Sequence, residues 1–211
     1  MGGGEREKRK KKTEKENVER LPNVIYILAD DLGYGDIGAF NPDGKIKTPY
    51  IDQFAKEGMK FTDAHSPSAV CTPTRYGVMT GRYSWRSSLK QGVLTGKSKA
   101  LIPDTRTTVA SLMKKAGYET AFIGKWHLGW DWAEKDSTEW GGEGWNPNEF
   151  ENLDFTKQVT NTPSDLGFDY AYGHSGSLDM APYVYVENGK VTAEVNRITE
   201  DKGKYTWWRK G

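Results

Sequence analysis

Apolar residues fall along the chain in short blocks whose spacing names the elements. "NVIYILADD" (23–31) is an unbroken, β-branched apolar run that ends abruptly at Asp30 and Asp31. It predicts a strand covered on both faces, as in a parallel sheet. "TPYIDQFAKEGMKF" then predicts a helix with Thr48 as N-cap, Pro49 at its first position, a stripe of Ile51, Phe54 and Ala55, and a stop at Gly58. A second strand-like piece runs from Met59 to Ala64. It leads to a helix that Thr72 is expected to cap, with Pro73 first and Gly81 as its stop. Cys71 is thereby placed just ahead of a helix N-terminus.

Further on, "DTRTTVASLMKKAGYETAFIGKWHLG" predicts a helix with Val109, Leu112, Met113 and Ala116 on its inner face and two lysines in its last turn, followed by a buried strand in "YETAFI". From Trp130 to Phe155 the periodicity gives way to an aromatic and acidic loop. "YVYVENGKVTAEV" then predicts a hairpin turning at Asn188-Gly189 in type I′ geometry. Strands alternating with helices imply βαβ units, hence an α/β sheet with helices on its faces.

Composition narrows this picture. A chain of 211 residues suffices for one domain with a substantial core. No apolar run approaches the roughly 20 residues of a membrane-spanning helix, so no span is expected. One cysteine forms no internal disulfide and excludes a Cys-rich zinc site. The first twenty residues carry eight basic and five acidic side chains and read as a charged, disordered tail without the apolar centre of a secretory signal. Residues 21–211 hold 22 basic and 24 acidic residues, so no nucleic-acid partner is expected. Nothing here fixes a cellular location.

Three groups of residues with chemical potential stand at predicted strand ends, where ligands gather in open α/β sheets. Asp30 and Asp31 are hard oxygen donors suited to Mg²⁺ or Ca²⁺, although two aspartates after a strand also serve as a turn. Adjacent strand residues point to opposite faces, so both reach one cation only if the chain bends there. Arg75 and Lys125 offer a planar fork and a point charge, the donors that an anionic tetrahedral group needs. His127 stands two residues after Lys125 and is expected on the same side, with Trp126 opposite. A helix N-terminus beside Cys71 favours an anion or a nucleophile, and a plain thiolate nucleophile is one reading.

"CTPTR" also matches the Cys-x-Pro-x-Arg signature of the type I sulfatases. With "NVIYILADDLGYGDIG" and "GKWHLG" in the same order, the chain resembles the N-terminal part of their catalytic domain from about Pro22 to Tyr183. The resemblance implies an alkaline-phosphatase-like α/β fold with a largely parallel central sheet, incomplete in this chain. It implies that a maturation enzyme oxidises Cys71 to formylglycine. One hydroxyl of the aldehyde hydrate attacks sulfur and expels the alcohol, and loss of the other hydroxyl's proton then releases sulfate. Asp30, Asp31 and residue 71 are implied as ligands of a divalent cation, Ca²⁺ with Mg²⁺ as the alternative. Arg75 would stabilise the hydrate, Lys125 would hold the sulfate, His127 would contact the hydrate and Ser177 of "GHSGSLDMAPY" would line the sulfate pocket. His174 is a tempting general acid and is expected in the pocket wall or a subsite.

The family's remaining metal ligands come later than Gly211, so the chain is expected to bind metal poorly by itself. The implied activity is hydrolysis of sulfate monoesters, on a carbohydrate sulfate ahead of a simple aryl sulfate. The alternatives are phosphonate or phosphate ester hydrolysis at the same nucleophile, and an inactive truncated fragment. Trp130, Trp132, Trp140 and Trp145 either stack on sugar rings or anchor their own loop.

Overall fold

The computed structural model describes residues 21–136 and 152–197. The predicted tail, Trp140, Trp145 and the C-terminal residues from 198 onward lie outside them. The chain divides into two compact units, 1–60 and 61–211, each described by itself.

In the first unit the predicted helix forms as α1, Pro49–Glu57, flanked by Thr48 and Gly58. Thr48 does not cap it with its side chain. Its hydroxyl accepts the Gly38 N–H at 2.8 Å and donates to Asp52 Oδ1, which also accepts the Ala39 N–H at 2.7 Å. These bonds tie the loop before α1 to its first turn. The run at 23–29 is not a strand. Val24, Ile25 and Ile27 are 62%, 84% and 82% exposed, and the described residues of this unit contain no strand to pair with them. An apolar run acquires a ladder only from a neighbouring backbone, which the pattern alone does not supply.

The second unit carries the sheet. β1 (Ala121–Lys125) pairs in parallel with β2 (Tyr170–His174), with Ala121 opposite Tyr170 and Lys125 opposite His174. The pairing runs on past the strands, with Trp126 N–H on His174 O and His127 N–H on Ser175 O, both at 3.0 Å. β3 (Val186–Glu187) and β4 (Lys190–Val191) add antiparallel, so the order is β1-β2-β3-β4 and the sheet is mixed. Asn188 and Gly189 both have positive φ, 47° and 81°, as the predicted type I′ turn requires. Met59–Ala64 is not a strand, and Met59 and Phe61 are exposed.

α2 spans Cys71–Thr80 and ends at Gly81 in the left-handed region, φ 64°. It begins two residues earlier than predicted, with Val70 as N-cap and Pro73 inside the first turn, where its missing N–H removes no helical bond. α3 spans Val109–Lys115, capped by Thr108, whose hydroxyl accepts the Ser111 N–H at 3.1 Å. Its inner face differs from the predicted stripe: Ala110 is buried while Val109 and Leu112 are exposed. The helix instead packs through Thr108, whose hydroxyl donates to Leu166 O at 2.6 Å, and Ser111. A Cβ on Gly167 would lie 2.6 Å from Ser111 N, so the close approach demands glycine.

The core lies on one face of β1–β2 and continues into the chain after β1. Phe122 meets Trp126 edge to face at 5.1 Å, Trp130 meets Trp132 at 5.4 Å, and Trp132 meets Phe155 at 5.5 Å. Trp126 and Trp130 are 1% and 2% exposed. Trp130 and Trp132 therefore anchor their loop and are not sugar platforms. The strand predicted in "YETAFI" has only this one face covered, and Ile123 on the other is 67% exposed.

Candidate active site

Cys71 opens α2, and Arg75 follows one turn later on the same face of the helix. The Arg75 guanidinium donates to the backbone carbonyl of Lys125. The Lys125 ammonium donates to Cys71 Sγ at 3.2 Å. Helix start, strand end and thiol are thus joined through three side chains that the sequence places up to 54 positions apart. The N-terminus of α2 has no side-chain cap, so its first-turn N–H groups and positive dipole end add to the two cations. The arrangement concentrates positive charge on one sulfur-bearing position and suits a tetrahedral anion bound there.

Thr72 secures this geometry. It is fully buried, donates to His127 O at 3.0 Å and accepts the Leu94 N–H at 3.1 Å. Local pattern marks this residue as a helix cap, and its bridging role is not visible there. Only the fold brings residues 72, 94 and 127 together.

His127 is fully buried, with φ 52°. The extended alternation that would set it beside Lys125 ends at this left-handed residue. Its Nε2 lies 2.7 Å from Leu94 O, and because a carbonyl only accepts, Nε2 carries the proton. His174 sits at the end of β2 directly opposite Lys125. Its Nδ1 lies 2.7 Å from Gly176 O and must likewise donate, and its ring meets Tyr185 edge to face at 5.9 Å. Burial holds the His174 pKa below the usual imidazole value. The Gly176 bond works against that shift, and the positive Lys125 and Arg75 reinforce it. In the neutral ring, with Nδ1 donating to Gly176 O, Nε2 is a lone-pair acceptor. Ser177 follows in a half-buried turn closed by the Met180 N–H on Ser177 O at 3.0 Å.

Asp30 and Asp31 belong to the first unit and the other candidates to the second. Both are exposed and occupy a turn, and Asp31 has φ 69°. The positive φ bends the backbone between two consecutive carboxylates, so this pair suits a hard divalent cation in donor chemistry and in local backbone shape.

A family model described as Sulfatase matches residues 22–197. An N-acetylgalactosamine-6-O-sulfatase of Bacteroides thetaiotaomicron is 38% identical over 182 residues, 85% of this chain and 32% of the relative. Arylsulfatase A of Homo sapiens is 44% identical over 112 residues, 53% of this chain and 22% of that protein. A solved structure from the metabolism of multiple glycosaminoglycans by Bacteroides thetaiotaomicron superposes with a TM-score of 0.67 at 39% identity, covering 81% of this chain and 32% of its own. The chain thus spans a third or less of the length of these proteins.

Proposed function

The chain belongs to the sulfatase family, with its alkaline-phosphatase-like α/β fold, and from that premise we propose that the protein hydrolyses sulfate monoesters at residue 71. The observation that carries this reading is the junction of Cys71, Lys125 and Arg75. As formylglycine, made by a maturation enzyme, residue 71 would supply the attacking hydroxyl. Asp30, Asp31 and residue 71 would hold the divalent cation, Ca²⁺ or Mg²⁺, which when bound offsets negative charge on the sulfate.

The remaining roles fall to this chain's own side chains. Lys125 holds a sulfate oxygen from the position where its ammonium now meets Sγ. Arg75, one turn after residue 71 and held to the Lys125 carbonyl, stabilises the hydrate. His127, oriented by Leu94 and by the bond its own carbonyl makes with Thr72, contacts the hydrate. Ser177 lines the sulfate pocket. His174 offers an acceptor to a hydroxyl on the group that carries the sulfate, which favours a sulfated sugar over an aryl sulfate. A relative named for N-acetylgalactosamine-6-O-sulfate chemistry supports the same substrate class.

The test is hydrolysis by the full-length protein that carries this chain, coexpressed with the maturation enzyme and supplied with Ca²⁺, comparing N-acetylgalactosamine 6-sulfate, an aryl sulfate and an aryl phosphate. Sulfate esters are expected to be cleaved, Cys71→Ala to abolish turnover, and Lys125→Met to lower kcat/KM by roughly 10²-fold. Preference for the phosphate, or full activity in Cys71→Ala, would overturn the reading.

A further inference from the structure

Between Asp63 and Asp104 the chain runs for 40 residues without an acidic side chain, while carrying Arg75, Arg82, Arg86, Lys90, Lys97 and Lys99. Beyond the C-terminal end of α2, this stretch presents two aromatic rings face to face. Tyr83 and Trp85 stack with centroids 4.1 Å apart and planes 9° from parallel, yet they are 59% and 61% exposed. Rings that pack on each other each keep one outer face open.

The loop that holds them is braced by its own hydrogen bonds. The Arg86 N–H donates to Tyr83 O at 3.0 Å, and the Ser87 N–H and hydroxyl donate to Ser84 O at 2.9 and 2.7 Å. The Lys90 ammonium bonds Ser87 O at 2.7 Å and Trp85 O at 3.1 Å, which seats its charge beneath the tryptophan's own backbone. Arg82 and Arg86 flank the pair in sequence. Little conformational entropy remains for a ligand to remove, so the rings and cations are presented ready-made.

We propose that Tyr83 and Trp85, with Arg82, Arg86 and Lys90, form a second binding surface for an anionic, sulfated carbohydrate chain. The rings take the apolar face of a sugar and the cations take its sulfates. α2 has ten residues, which at 1.5 Å each sets this surface about 15 Å from Cys71 along the helix. It therefore binds the chain at a distance from the ester being cleaved. The identity of the anion rests on the sulfate-ester reading above; the charge and the rings do not.

The experiment measures binding of the unmodified, metal-free chain to chondroitin sulfate, to desulfated chondroitin and to duplex DNA, so neither formylglycine nor activity enters the readout. Wild type is expected to bind the sulfated chain, with affinity falling as salt rises and much weaker binding of the desulfated one. Trp85→Ala is expected to lose roughly tenfold in affinity and Trp85→Phe to keep most of it. Arg86→Gln is expected to weaken binding and flatten the salt dependence. Failure of the wild type to bind, equal binding of desulfated chondroitin, or unchanged binding in Trp85→Ala would overturn the proposal. So would a preference for DNA. Binding as predicted, with no sulfate ester cleaved in the separate assay of formylglycine-bearing, Ca²⁺-loaded protein, would refute the active-site reading alone.

Discussion

The two units treat the same kind of residue in opposite ways. In the second, Trp126, Leu128 and Trp130 are at most 2% exposed, pinned by rings and by indole and backbone hydrogen bonds. In the first, Val24, Ile25 and Ile27 form an equally apolar run and lie mostly in solvent. Hydrophobic sequence sets what a segment gains from burial. Whether it is buried depends on a partner surface elsewhere in the chain.

The contrast is broken most forcefully by truncation on each side. Trp126→Ala is expected to cost about 3–5 kcal/mol in urea denaturation of the chain, because it empties a closed site. Ile25→Ala should cost less than about 0.5 kcal/mol in the same measurement. Equal effects at the two positions would mean that the apolar run in the first unit is as well packed as the core.

A smaller effect is expected at Thr72. Thr72→Val keeps the shape but leaves His127 O and Leu94 N–H without their buried partner, a loss of about 1–3 kcal/mol. Because the same bonds fix the start of α2 against His127, sulfate affinity should fall in parallel, measured by calorimetry. Retained affinity would separate Thr72 from the site.

The smallest effect is a pH dependence at His174. Its folded pKa lies below that of an ordinary imidazole, so between the two values the unfolded chain binds more protons. Stability contributed by the neutral ring is present above that window and is lost as pH falls through it. Burial sets the sign, the positive Lys125 of β1 and Arg75 of α2 reinforce it, and the bond to Gly176 O opposes it. His174→Gln should flatten that part of the urea midpoint against pH. An unchanged slope would contradict the burial argument.

What the sequence made legible follows from range. α1, the end of α2 at Gly81, the two lysines in the last turn of α3 and the turn at Asn188-Gly189 depend on residues a few positions apart, and all appear where local chemistry placed them. The face that α3 buries, the fate of the run at 23–29 and the bridging role of Thr72 depend on contacts tens of residues away, which periodicity does not encode. Cys71, Arg75 and Lys125 lay between these extremes. Their chemistry suggested an anion site, and the parallel pairing of β1 with β2, together with the docking of α2, brings them together.

The central claim is that the sulfur of Cys71 gives way to an aldehyde hydrate between these cations. Mass spectrometry of the peptide carrying residue 71, taken from a preparation that is turning over a sulfate ester, tests it directly. The account predicts formylglycine at that position; an intact thiol in the active protein would contradict it.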